Sequence, residues 1–234
     1  MTGKPAPVID AILARRSSGP RHFGPRHFGP RQLGPRHLGP RQLGPRHLGP
    51  RHLGPRHLGP PGPGPEGLHI FASAAAAAPD HGRLGPLRLT HIPDDKRVAL
   101  ADLFIEAARA ADPNVPAAVI EAAGGRALSG PVLVAVIATV QNNDPDIALH
   151  KQWISVGAAL QNAPLAAQAL GLACKMVNGR RVRSPVLRSA FRLAENVNLV
   201  GFVMFGTAGA ETAAKPALRR SVNQILSDWR PPVL

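Results

Sequence analysis

Between Gly19 and Leu58 the chain repeats one five-residue unit, Gly-Pro-Arg-His/Gln-Phe/Leu, eight times without a break. A Gly- and Pro-rich tail, Gly59 to Pro65, follows. Each proline lacks the N–H that a helix interior or a central strand must donate, and its ring clashes with the preceding helical turn. Each glycine adds ordering entropy. The period of five is not the period of three that a collagen helix needs. One Phe or Leu per unit cannot offset the entropy of ordering the other four residues. The array is therefore expected to be a disordered, partly polyproline-like insertion. The domain must be built from the residues on either side of it.

The array also biases the composition. The formal net charge is +14 with it and +6 without its eight arginines. It holds six of the ten histidines and, with its tail, 23 of the 50 Gly and Pro residues. An arginine-rich arm would be drawn to phosphate backbones, and six histidines could capture a metal weakly. A tolerated surface insertion is the favoured reading, because blocks of one charge sign are usually solvated tails or loops. The 187 residues outside 19–65 suffice for one domain with a sizeable core. A single cysteine, Cys174, excludes an intrachain disulfide and fits a reducing compartment. The start, Met1-Thr-Gly-Lys-Pro5, lacks the apolar run of a signal peptide. The longest apolar stretch, Pro131 to Val140, is about half of what a membrane helix needs. A soluble cytoplasmic protein with no membrane partner is expected.

Local patterns supply the elements. Pro5 to Ser17 has apolar residues at helical spacing, with Pro7 suited to a first turn. Order is expected to resume near Glu66, with an Ala-rich helix over Leu68 to Ala78 broken by Pro79-Asp80-His81-Gly82. Leu87 to Ile92 suits a short strand. Helices are expected over Asp95 to Ala111 and Val115 to Ala123. Pro131 to Val140 reads as a central strand buried on both faces. Ile147 to Cys174, rich in Ala, Leu and Gly, reads as one long, deeply buried helix. Ser184 caps a helix that starts at Pro185 and runs to about Leu193. Val197 to Gly206 is a second central strand, and Pro216 to Trp229 a C-terminal helix. The succession lacks a βαβ alternation, which points to an α+β fold with helices around a mixed sheet.

Four segments in order resemble the small nitroreductase-like flavoproteins. They are Ala14 to Ser17; AAAAAPDHG over Ala74 to Gly82 with Arg83 to Pro86; Ser155 to Asn162 with Ala166 to Gly171 and Lys175 to Gly179; and Ser184 to Phe191 leading to Leu199 to Thr207. The resemblance implies a nitroreductase-like mixed sheet surrounded by helices. It implies residues 1–18 as the domain's first helix, 19–65 as the repeat insertion and 66–234 as the remainder. It implies an FMN-dependent homodimer, with NAD(P)H as co-substrate, that passes electrons to nitro compounds, quinones or similar small-molecule acceptors. The alternative is a non-enzymatic flavin fold carrying an arginine-rich nucleic-acid-binding arm.

By the same resemblance, Arg15, Arg16 and Ser17 match the motif that grips the FMN phosphate and ribityl chain. The chemistry agrees, since a phosphate dianion needs fixed cations and hydroxyl donors. Read from the residues alone, two arginines at a helix C-terminus can instead offset its dipole. His81 matches a position that touches the flavin, or is a turn histidine facing solvent. Met176, Val177, Asn178 and Gly179 match the stretch along the isoalloxazine ring, where backbone amides can polarise a carbonyl and glycine permits close approach. Lys175 is either the positive charge that favours a reduced, anionic flavin or a solvated lysine at a helix end. Cys174 reads as a small buried residue. The flavin carries the chemistry in such enzymes, so no protein acid–base or nucleophile pair and no metal is expected. The relatives often carry Trp in place of Leu87 and Trp-Arg-Ser in place of Met176-Val-Asn. Many also have a basic residue where Gly19 stands.

Overall fold

The structure, a computed structural model, describes residues 58–208 and 221–229. The opening helix with Arg15, Arg16 and Ser17, and the array up to residue 57, lie outside the described residues. Five strands form one sheet: β1 (Leu58–Gly59), β2 (Leu87–Ile92), β3 (Val132–Thr139), β4 (Ala173–Val177) and β5 (Val197–Ala208). Helices α1 (Pro65–Ala76), α2 (Arg97–Ala111), α3 (Ala117–Leu128), α4 (Leu149–Ala169) and α5 (Pro185–Ala190) cover it. Every strand pairing among the described residues is antiparallel, where a mixed sheet was expected. All of β5's neighbours run against it.

β5 is the spine. One edge pairs with β3, which pairs in turn with β2. The other edge pairs with β4 through Phe202 to Gly206 and then with β1 through Thr207 and Ala208. β3 is buried on both faces, as its β-branched run predicts. Its Leu133, Ala135 and Ile137 meet Leu100 and Phe104 of α2, Ala127 of α3 and Leu187 of α5. Val134 and Val136 meet Phe71 of α1 and Ala163 and Ala167 of α4. Phe71 stacks on Phe205, with ring centroids 4.5 Å apart. Phe104 meets Phe202 edge to face on the opposite side of the sheet, at 5.2 Å.

Several boundaries differ from those read in the sequence. The long helix stops at Ala169, and Cys174 lies in β4 rather than in the helix. Gly171, at φ +77°, ends α4 with a paired turn in which Leu172 N–H donates to Ala167 and Gly171 N–H to Gln168. Nor is α4 deeply buried all round. Gln152, Ser155, Val156 and Ala159 face inward, while Trp153 and Ile154 are 38 % and 66 % exposed. Residues 221–229 hold a single short turn, Val222–Gln224, in place of the expected C-terminal helix. Val222, Ile225, Leu226 and Trp229 are all exposed there, so no apolar contact repays the cost of helix nucleation.

Sheet pairing also occurs before Glu66. Leu58, the last residue of the eighth repeat, is buried and pairs with Ala208. Thr207 Oγ1 donates to the Pro61 carbonyl at 2.8 Å. A Cβ on Gly62 would come within 2.9 Å of Val132. One repeat leucine is thus a core residue. Leu58→Ala should destabilise the protein by about 2–4 kcal/mol, the cost of deleting a buried leucine side chain. Urea unfolding measures this, and a change within about 0.5 kcal/mol, typical of a surface site, would show that β1 is not part of the core.

Candidate functional site at the end of strand β4

The sequence places Met176 to Gly179 at the point where β4 leaves the sheet. Alternation along the strand sets the sides. Ala173 and Val177 pack with the α2, α3 and α5 cluster, and Cys174 and Met176 with the α1 and α4 cluster. Lys175 shares the side of Ala173 and Val177. It is only 3 % exposed and lies in a strand, so it is not the solvated helix-end lysine that the sequence suggested. Asn178 and Gly179 follow in the open, with Gly179 in extended backbone. Arg180–Arg183 makes one tight turn, and Ser184 Oγ accepts from Val186 N–H at 3.2 Å to start α5, as its N-cap position predicts.

Gly201 decides how closely this segment approaches the sheet. A Cβ there would lie 2.9 Å from the Val177 carbonyl oxygen and 3.1 Å from Asn178 Cβ. The adjoining register is irregular: Val136 faces Gly201 and Ile137 faces Leu199, so Val200 is an extra residue in β5. Such a bulge re-aims neighbouring side chains. Gly201→Ala should therefore push the Val177–Asn178 segment outward and destabilise the fold by about 1–3 kcal/mol. Chemical denaturation measures the loss, and an unchanged midpoint would show that the approach is looser than described.

Two cavities meet at this segment. The larger, about 850 Å³, is lined by Asn178, Gly179, Arg183, Asn198 and Val200, with Trp153 of α4 on its wall. The smaller, about 400 Å³, is lined by all four of Met176, Val177, Asn178 and Gly179, together with residues of α2 and α3. A Cβ on Gly179 would meet nothing within 4 Å, so its backbone is open to a flat ligand. Both volumes suit a small-molecule site. Arg188 also borders the larger cavity, but its guanidinium is spent on the Val197 and Ala194 carbonyls at 3.1 and 2.8 Å.

His81 stands apart from these residues. It is exposed on a one-turn segment, His81–Arg83, and its backbone N–H donates to Ser155 Oγ of α4 at 3.1 Å. Asp80 ties the loop by accepting from Gly85 N–H at 2.6 Å. Gly82, at φ +78°, would drive a Cβ to 2.8 Å from Ile147, so the turn requires glycine. The side chain of His81 lines none of the cavities around β4; α4 is the element that links it to Trp153. Sequence reasoning missed Trp153, Arg183 and Asn198. The available signal was Trp153-Ile154, an apolar pair out of phase with the inward stripe of Gln152, Ser155, Val156 and Ala159.

The electrostatics are cationic. Burial, reinforced by neighbouring Arg126, lowers the Arg181 pKa to about 10. Arg97 is lowered as well, by burial, with Asp94 opposing the shift. No group of three or more His, Cys, Asp or Glu suited to a metal occurs among the described residues. No helix among them is long and apolar enough to cross a membrane.

The Nitroreductase family model matches residues 56–207. This chain belongs to the nitroreductase family. It is a flavin-dependent oxidoreductase, and the non-enzymatic alternative does not stand. A Haemophilus influenzae protein named "Putative NAD(P)H nitroreductase" is 31 % identical over 153 residues, which is 64 % of this chain and 80 % of its own length. The similarly named YdjA of Escherichia coli K12 is 29 % identical over 142 residues, covering 61 % and 76 %. Among solved structures, a nitroreductase-like family protein from Bacillus cereus superposes with a TM-score of 0.65 at 16 % identity, covering 97 % of this chain and 98 % of its own. The NADPH:FMN oxidoreductase from Vibrio harveyi, complexed with NAD+, gives a TM-score of 0.59 at 16 % identity, covering 98 % and 80 %. At such identities the likeness is one of fold. The Ala14 to Ser17 segment precedes the matched range.

Proposed function

We propose that this nitroreductase-family member uses FMN, takes electrons from NADH or NADPH and reduces nitro compounds, quinones or similar acceptors. The observation that carries the reading is the 850 Å³ cavity at Asn178 and Gly179, with an open glycine backbone, a tryptophan wall and Arg183 on its lining. A flavin ring can lie flat against backbone that has no Cβ, and Asn178 offers an amide to its polar edge. When bound, FMN supplies the electron transfer between nicotinamide and acceptor. The chain's own residues position the ring, keep one face open and place positive charge near it. Arg15, Arg16 and Ser17 would hold the phosphate, and His81 would touch the flavin.

A homodimer completes the proposal. Trp153 and Ile154 expose apolar surface on α4 beside the larger cavity, and Ile225, Leu226 and Trp229 are more than 70 % exposed near the C-terminus. A second copy is the partner that would cover them and close the cavity. The array up to residue 57 is proposed to be a tolerated insertion that the flavin core does not need. The test replaces Arg15 and Arg16 together with Ala. Two lost charge-assisted hydrogen bonds should weaken FMN binding by roughly a hundredfold or more, with little change in the unfolding midpoint. FMN titration of the apoprotein and NADPH oxidation with a nitroaromatic acceptor follow the effect. Unchanged FMN affinity in a folded double variant would place the phosphate elsewhere.

A further inference from the structure

The charge on the walls of the larger cavity is one-sided. Arg180, Arg183 and Arg188 line it, and among the described residues no Asp or Glu does. Arg188 is spent on the Val197 and Ala194 carbonyls. Arg180 and Arg183 are exposed, and neither side chain makes a hydrogen bond or an ion pair with another described residue. The ion pairs among the described residues join Lys96 to Asp95 and Arg97 to Asp94, at the start of α2. Arg181, between the two free cations, is engaged elsewhere. It donates to the Ala123 carbonyl at 3.5 Å and lies 5.1 Å above the Phe104 ring.

The backbone that bears these charges is pinned. Val182 N–H donates to the Gly179 carbonyl at 3.1 Å, and Ser184 N–H to the Arg181 carbonyl at 2.8 Å. Two cations on a fixed turn at the mouth of a cleft raise the local concentration of anions, and apolar walls focus the field. Trp153, Leu199 and Val200 supply such walls here.

We propose that this site prefers aromatic acceptors that carry a carboxylate, and that Arg180 and Arg183 determine that preference. The ring lies against the apolar wall, and the carboxylate faces guanidinium groups that offer it paired donors. The inference rests on the flavin reading above and adds the acceptor's charge to it. The nitro group of such an acceptor gains two electrons and two protons and becomes a nitroso group and water, with the reduced FMN of that reading as donor. The carboxylate is not consumed.

The test uses the full-length protein loaded with FMN. 4-Nitrobenzoate and its neutral isostere 4-nitrobenzamide are titrated calorimetrically into the oxidised holoprotein. Each is then mixed with the photoreduced holoprotein, without nicotinamide, while flavin reoxidation is followed. At low salt the carboxylate should bind roughly fivefold or more tightly than the amide, the size expected of two exposed ion pairs. Arg180→Gln with Arg183→Gln should remove that preference and lower the carboxylate-to-amide ratio of reoxidation rates by a similar factor. Arg180→Lys with Arg183→Lys keeps the charge and should keep most of the preference. Added salt should erode the preference of the unsubstituted protein. Equal binding of the two compounds, binding of neither, or a preference that survives the Gln substitutions in a folded protein would each overturn the proposal and leave the flavin reading standing. So would a loss of FMN affinity of about tenfold in the Gln variant, the effect of one charge-assisted hydrogen bond, because the arginines would then grip the cofactor. A protein that takes up no FMN would overturn both.

Discussion

β5 is paired along both edges, and the rest of the described structure follows from that. Its one edge fixes β3, and β3 carries the apolar residues that hold helices on both faces. Its other edge holds β4 and then β1. Two glycines make this crowding possible. At Gly206 a Cβ would fall 2.6 Å from Pro131 and 2.9 Å from the Gly59 carbonyl. At Gly201 it would strike Val177 and Asn178. The backbone that lines both cavities is therefore positioned by the absence of side chains on the spine. Protein interiors transmit such steric demands because they are close-packed. The bulge at Val200 adds a local kink where β5 borders the larger cavity.

The charges divide by function in a way the net charge conceals. Arg97 and Arg188 serve as internal donors to carbonyls that helix and strand ends leave unsatisfied. Arg180 and Arg183 lie exposed beside the open cavity, where a cation costs little. Arg126 and Arg181 line the smaller cavity, where burial and their mutual repulsion lower the Arg181 pKa. The eight array arginines belong to none of these groups, although they supply more than half of the formal +14.

Strands and caps with local signals were legible in the sequence. Leu87–Ile92 forms as read, the β-branched run forms β3 within a residue at each end, and Ser184 caps α5. Features set by distant contacts were not. β4 continues the Ala- and Leu-rich composition of α4, and only Gly171 marks the break. Leu58 sits in a repeat unit indistinguishable from its neighbours in sequence, and its pairing with the edge of β5 has no local signal. The helical pattern near the C-terminus has no described surface to lie against. The Met176 to Gly179 stretch of the candidate site was singled out by its resemblance to the family, not by local pattern. The burial of Lys175 and the placing of Trp153 depend on strand alternation and helix phase around elements whose ends the sequence did not define.

The central claim is that this domain holds FMN at the end of β4. The visible absorption spectrum of the purified protein tests it most directly, followed by chromatography of whatever heat denaturation releases. The account predicts a yellow protein with an oxidised-flavin spectrum that releases free FMN, close to one per chain. A colourless protein that also takes up no added FMN would contradict it.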